Sequence, residues 1–203
     1  MILEAIFESW HIGDGNYPPL KTGDKVNLSF ELEERGIKTI TETNEYFMRS
    51  QGNADYEFSG IVLRNYGQEN NEYILVVDTG GFKFYICSNK VSEFKAGDQV
   101  AGEGTLLLDH YIWVEFLNDY KNPPDLFYNL TVDQIRKVKI PEKFIYRHKN
   151  GKSMPTRVDM NEANDIEIEE LKTMEGQPFD EEFYIVKFDD SGLEGVRIAK
   201  TFI

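Results

Sequence analysis

The chain has 203 residues and a formal charge of -14, from 36 acidic against 22 basic side chains. That length can bury a core without disulfide staples, and 40% hydrophobic residues with 13% aromatic exclude a disordered chain. Phosphates and anionic lipids are held by Lys and Arg, so the charge argues against nucleic acid or a membrane surface as the ligand of the whole molecule.

The first residues carry no basic segment, and Glu4 and Glu8 interrupt their apolar run, so no signal peptide is expected. No apolar run approaches the roughly 20 residues of a membrane-spanning helix. Cys87 is the one cysteine, which leaves no intramolecular disulfide. A cytoplasmic protein is the expectation.

Along the chain the dominant period is two. Residues 2–10 and 26–32 read as strands around a Gly- and Pro-containing loop at 13–19. Residues 56–63, 72–77, 82–87, 100–108 and 111–117 are rich in β-branched and aromatic side chains. The gaps between them hold Gly, Asn or Asp. This predicts a mainly β fold, a barrel or sandwich with an OB-like meander over about residues 55–120. Lys21-Thr22-Gly23-Asp24-Lys25-Val26 matches Lys95-Ala96-Gly97-Asp98-Gln99-Val100, each after a hydrophobic residue and before a strand. Gly-Asp is a turn signal, and the match fits either a duplication or convergence on one turn.

Pro123-Pro124 is the best linker signal, because adjacent prolines end a strand ladder. The expected divisions are an N-terminal β region at 1–54, an OB-like barrel region at 55–122 and a C-terminal α+β region at 123–203. Within the last, residues 126–140 hold a short strand or helix, and 149–152 a hairpin-like turn. Residues 161–175 favour helix by propensity, yet Ile166-Glu167-Ile168-Glu169 alternates like a strand. Residues 182–188 read as a strand, with 195–202 as its returning partner.

Candidate chemistry is sparse. Asp78-Thr79-Gly80 resembles the aspartic-protease signature, but that mechanism needs two carboxylates and no second copy exists. A hairpin turn explains the three residues. Cys87 and His110 carry the groups of a thiolate–imidazole pair, with nothing in the sequence to join them. His11, His110 and His148 lie singly, without metal-ligand spacing. No catalytic residue, metal or cofactor is assigned. Tyr66, Tyr85, Tyr111 and Trp113 are candidates for an aromatic platform, with core packing as the plainer reading.

Charge is segmented. Residues 123–157 hold three acids and eight bases, whereas residues 158–203 hold thirteen acids and four bases. The two segments either offset each other in the fold or present separate patches to partners. The surface candidates are Arg136, Lys137, Lys139 and Arg147, and Glu167, Glu169, Glu170, Asp180, Glu181 and Glu182. The leading expectation is a non-enzymatic acidic binding protein of inhibitor or immunity type. Its partner is another protein, a basic one among the candidates. An OB-like protein binding oligonucleotide or oligosaccharide through the basic 136–157 segment is the alternative, and a hydrolase with an unrecognised carboxylate pair the third. Membrane is not among the expected partners.

Overall fold

Alternating side chains give a strand one buried and one outward face, and turn residues fix where it reverses. The computed structural model describes residues 2–41, 45–69, 72–109, 123–139, 145–147, 153–155, 167–174, 182–189 and 198–199. In chain order the strands are β1 (Ile2–Glu8), β2 (Lys25–Leu28), β3 (Phe30–Thr39), β4 (Phe47–Gly52), β5 (Asp55–Glu69), β6 (Glu72–Asp78), β7 (Lys83–Ser88) and β8 (Gln99–Leu108). They continue as β9 (Tyr128–Lys139), β10 (Ile145–Arg147), β11 (Ser153–Pro155), β12 (Glu167–Leu171), β13 (Phe183–Asp189) and β14 (Ile198–Ala199). Helix among the described residues is limited to α1 (Trp10–Gly13) and a 3₁₀ turn at Asn89–Val91.

Five strands close a barrel. β5, β6 and β7 form an antiparallel meander, and β8 pairs antiparallel with both β5 and β3. β3 then meets β7 in parallel, Glu31 opposite Tyr85, and the ring is complete. Five closed strands agree with the expected mainly β barrel, with β3 from the N-terminal stretch as its fifth strand. β8 can follow β3 closely because two of its inward residues are glycines. A Cβ on Gly102 would lie 2.3 Å from the Gly36 carbonyl oxygen, and one on Gly104 2.5 Å from that of Glu33.

A second sheet adjoins the barrel. β13 pairs antiparallel with β1 and β9, while β2 and β12 share the far edge of β9. β1 touches the barrel through a parallel contact, Ile6 opposite Leu107 on β8. Leu32, Phe58, Leu75, Val77, Phe84 and Leu106 from the barrel strands form one buried cluster with Leu3, Phe7, Val132, Val186 and Phe188. Phe58 and Phe84 pack edge to face, their ring centroids 5.2 Å apart. That arrangement suits two aromatic quadrupoles.

Several details differ from the sequence reading. The run 26–32 is split at Ser29: β2 belongs to the second sheet and β3 to the barrel. β5 continues through 65–69, where a turn was expected. Asn65 absorbs the irregularity, its amide donating to the carbonyls of Val91 (3.1 Å) and Phe94 (2.9 Å). Residues 167–171 are strand, so alternation outweighed helix propensity once β9 offered a ladder. Of the return expected at 195–202 the described residues are Ile198–Ala199, which run parallel to β4, while the two edges of β13 are taken by β1 and β9. β3 completes the barrel, and β1, β2, β9 and β13 share a sheet. β10 and β11 pair antiparallel on either side of 149–152. That turn, the predicted strand 111–117 and residues 161–166 lie outside the described residues.

Candidate functional site

The parallel contact of β3 with β7 sets Glu31 beside Tyr85, and the end of β8 brings Asp109 to the same place. The Tyr85 hydroxyl reaches Asp109 Oδ1 and lies 3.3 Å from Glu31 Oε2. Ser29, the residue that separates β2 from β3, donates from Oγ to Asp109 Oδ2 at 2.8 Å. Tyr17 donates its phenol proton to the Asp109 carbonyl oxygen at 3.0 Å. The ring of Tyr17 stands edge-on to His11, which stacks on Trp10 with centroids 3.8 Å apart. Ser29, Glu31, Tyr85, Asp109 and His11 are all buried.

Burial, and then the charges of Glu31 and Asp109, hold the Tyr85 phenol well above its ordinary range. Burial, then Asp109, does the same for Tyr17. Both phenols therefore stay protonated and act as donors. A phenol placed between two carboxylates can exchange protons, but a reactant would need to touch it. With Ser29, Glu31, Tyr85 and Asp109 out of solvent, the cluster ties the seam between barrel and second sheet. Its members were missed in the sequence, except Tyr85. Glu31 looked like one acid of an alternating strand, Asp109 like a turn residue, and no local spacing joins either to Tyr85.

The sequence candidates fall into three groups. The basic stretch and the acids after it meet in one ladder: Lys139 stands opposite Glu167, Lys137 opposite Glu169 and Arg136 opposite Glu170. Arg136 Nη2 is 2.6 Å from Glu4 Oε1, and Lys137 Nζ is 2.5 Å from Glu182 Oε1. Tyr184 also donates to Glu182, and Gln134 donates to the exposed Glu170 at 2.7 Å. Arg147 lies apart on β10. Asp180 and Glu181 lie outside the described residues.

Tyr66 and Tyr85 do share one barrel face, in a small cluster with Ile74, Val76 and Leu126. Tyr85 is 0% exposed, and Phe127 packs on the same cluster. Tyr66 is half-buried under the Arg64 guanidinium, 4.5 Å from its ring centroid. Tyr111 and Trp113 lie outside the described residues. Asp78 spends one carboxylate oxygen on its own turn, accepting from the N–H groups of Gly80 (2.9 Å) and Gly81 (2.7 Å). This is the hairpin reading of Asp-Thr-Gly. Cys87 is half-buried on β7, and His110 lies outside the described residues.

Among the described residues no group of three His, Cys, Asp or Glu is placed to hold a metal ion, and no helix is long and apolar enough to cross a membrane. Fold and cluster thus define a β-barrel protein with a polar, buried seam. No family model, curated protein or solved structure matches the chain.

Proposed function

We propose that the protein is a non-enzymatic acidic binding protein whose partner is a basic protein, in the manner of an inhibitor or immunity protein. The supporting observation is the in-register ladder of β9 against β12, with Arg136 and Lys137 also held by Glu4 and Glu182. Arg136 and Lys137, two of the bases that could have met phosphate, are thereby drawn into the fold. The excess of acids over bases, 36 less 22, leaves at least 14 acids without a base of their own. Such a field speeds encounter with a cationic partner and repels anionic ones.

The alternative, oligonucleotide or oligosaccharide binding through the basic 136–157 segment beside an aromatic platform at Tyr66 and Tyr85, draws less support because Leu126 and Phe127 pack on that platform. One titration separates the two. The full chain is titrated with a panel of small basic proteins, and with single-stranded RNA and DNA, at low and high salt. The expected result is a saturable one-to-one complex with a basic protein, formed more slowly as salt rises, and no oligonucleotide binding. Oligonucleotide binding without any basic-protein complex would overturn the proposal.

A further inference from the structure

We infer that residues 2–78 and 83–189 are two copies of one strand unit, each of which docks on the other by exchanging strands. The turns at Lys21 and Lys95 lie 74 positions apart, and they match in more than sequence. Gly23 and Gly97 have φ of 93° and 94°. Asp24 Oδ2 accepts from the Lys21 N–H at 2.9 Å, and Asp98 Oδ2 from the Lys95 N–H at 2.7 Å. Gly23 N donates to the Val132 carbonyl while Val132 N donates to that of Asp24 (2.8 and 2.9 Å). Gly97, Val62 and Asp98 repeat both bonds at 2.9 Å.

From those turns the equivalence spreads through every strand of the unit. β1 corresponds to β7, each followed by a short helical turn. β2 with β3 corresponds to β8, β5 to β9, and β6 to β13. β13 pairs with β1 from Asp189 opposite Ile2, as β6 pairs with β7 from Asp78 opposite Lys83. β9 meets β13 with one extra residue between Val132 and Gln134, and β5 meets β6 with one extra residue between Val62 and Arg64. Even the parallel contact recurs, Glu31 with Tyr85 and Leu107 with Ile6.

The pairing of β3 with β8 maps onto itself. Moving Phe30 and Leu108 by 74 positions in opposite directions gives Gly104 and Glu34, which are also paired. A pseudo-twofold axis therefore passes through Leu32 opposite Leu106. This is the isologous geometry of a symmetric dimer, carried in one chain. The surface each copy buries, the long β3 or β8 strand with its flanks, is an interface for a second copy of the same unit. β4, β10, β11, β12 and β14 are additions to that plan.

Exchange makes a specific demand: neither copy holds all strands of the barrel. A protease site inserted between Gly80 and Gly81, in the hairpin joining the copies, allows the folded full chain to be cut. The expected result is a one-to-one complex of 1–80 with 81–203 that keeps its near-ultraviolet circular dichroism. After separation in urea, native signal returns on mixing, and a half refolded alone is unstructured or a homodimer. A half that refolds as a folded monomer, or halves that part on cleavage, would overturn the inference. If the insertion itself prevents folding, an abundance scan of every substitution in the uncut chain decides. Tolerance profiles of 20–28 and 94–102 should correlate most strongly at the offset of 74, and absence of that peak refutes the equivalence.

Discussion

Alkaline pH is a sharp probe of this fold, because burial raises the phenols of Tyr17, Tyr56, Tyr85 and Tyr128 above their ordinary value. A raised phenol stays neutral in the folded chain while its unfolded counterpart ionises from about pH 10. The stability these groups contribute is complete below pH about 10 and is lost as pH climbs toward the folded values. At pH 11 each unfolded phenol gains about 1.4 kcal/mol, so four give about 5.6 kcal/mol. That equals the lower end of a domain's whole stability, about 5–15 kcal/mol. Loss of structure is therefore expected near pH 11 to 12, with about four tyrosines ionising together at the transition. Tyrosinate absorbance and far-ultraviolet circular dichroism, followed in one titration, check this. Tyr17→Phe should reduce the cooperative group to about three. If the phenols instead titrate around their ordinary value while the circular dichroism holds, the burial argument fails.

Other expected outcomes follow from single contacts. Gly23→Ala and Gly97→Ala each force a Cβ into the left-handed region and should cost about 1–2 kcal/mol, by similar amounts, in urea unfolding. A cost at one site alone would show that the two turns are not equivalent in energy. Arg35 Nη1 lies 2.6 Å from Asp55 Oδ1, whose side chain is 2% exposed, so Arg35→Met removes the cation from a buried carboxylate. Arg35 itself is exposed and Thr105 Oγ1 still donates to Asp55, so about 1–2 kcal/mol is expected; an unchanged denaturation midpoint would contradict it. Phe58→Ala empties a fully buried site beside Phe84 and should cost about 3–5 kcal/mol, read by thermal unfolding. A loss under about 1 kcal/mol would mean that the barrel collapses into the space.

The charged segments show where sequence reasoning reaches its limit. Eight bases followed by thirteen acids suggested mutual compensation or separate patches, and spacing could not choose between them. The fold pairs two of those bases, Lys137 with Glu182 from the acidic segment and Arg136 with Glu4, more than a hundred positions away. The buried seam is a harder case. Ser29, Glu31, Tyr85 and Asp109 come together through a parallel strand contact, and such a contact leaves no periodic trace in any one segment.

What the sequence determined by itself was local. Alternation set β6, β7, β8 and β13, and Gly-Asp and Asp-Thr-Gly set their turns, because side-chain facing and turn chemistry are decided within a few residues. The repeated Gly-Asp turn was visible too, as a match without a meaning. Only the tertiary structure decided which strands pair, that Ser29 divides one strand between two sheets, and that the two turns are equivalent points of two exchanged copies. Strand pairing is set by burying apolar faces and satisfying backbone groups across the whole chain, and no window of neighbouring residues contains that information.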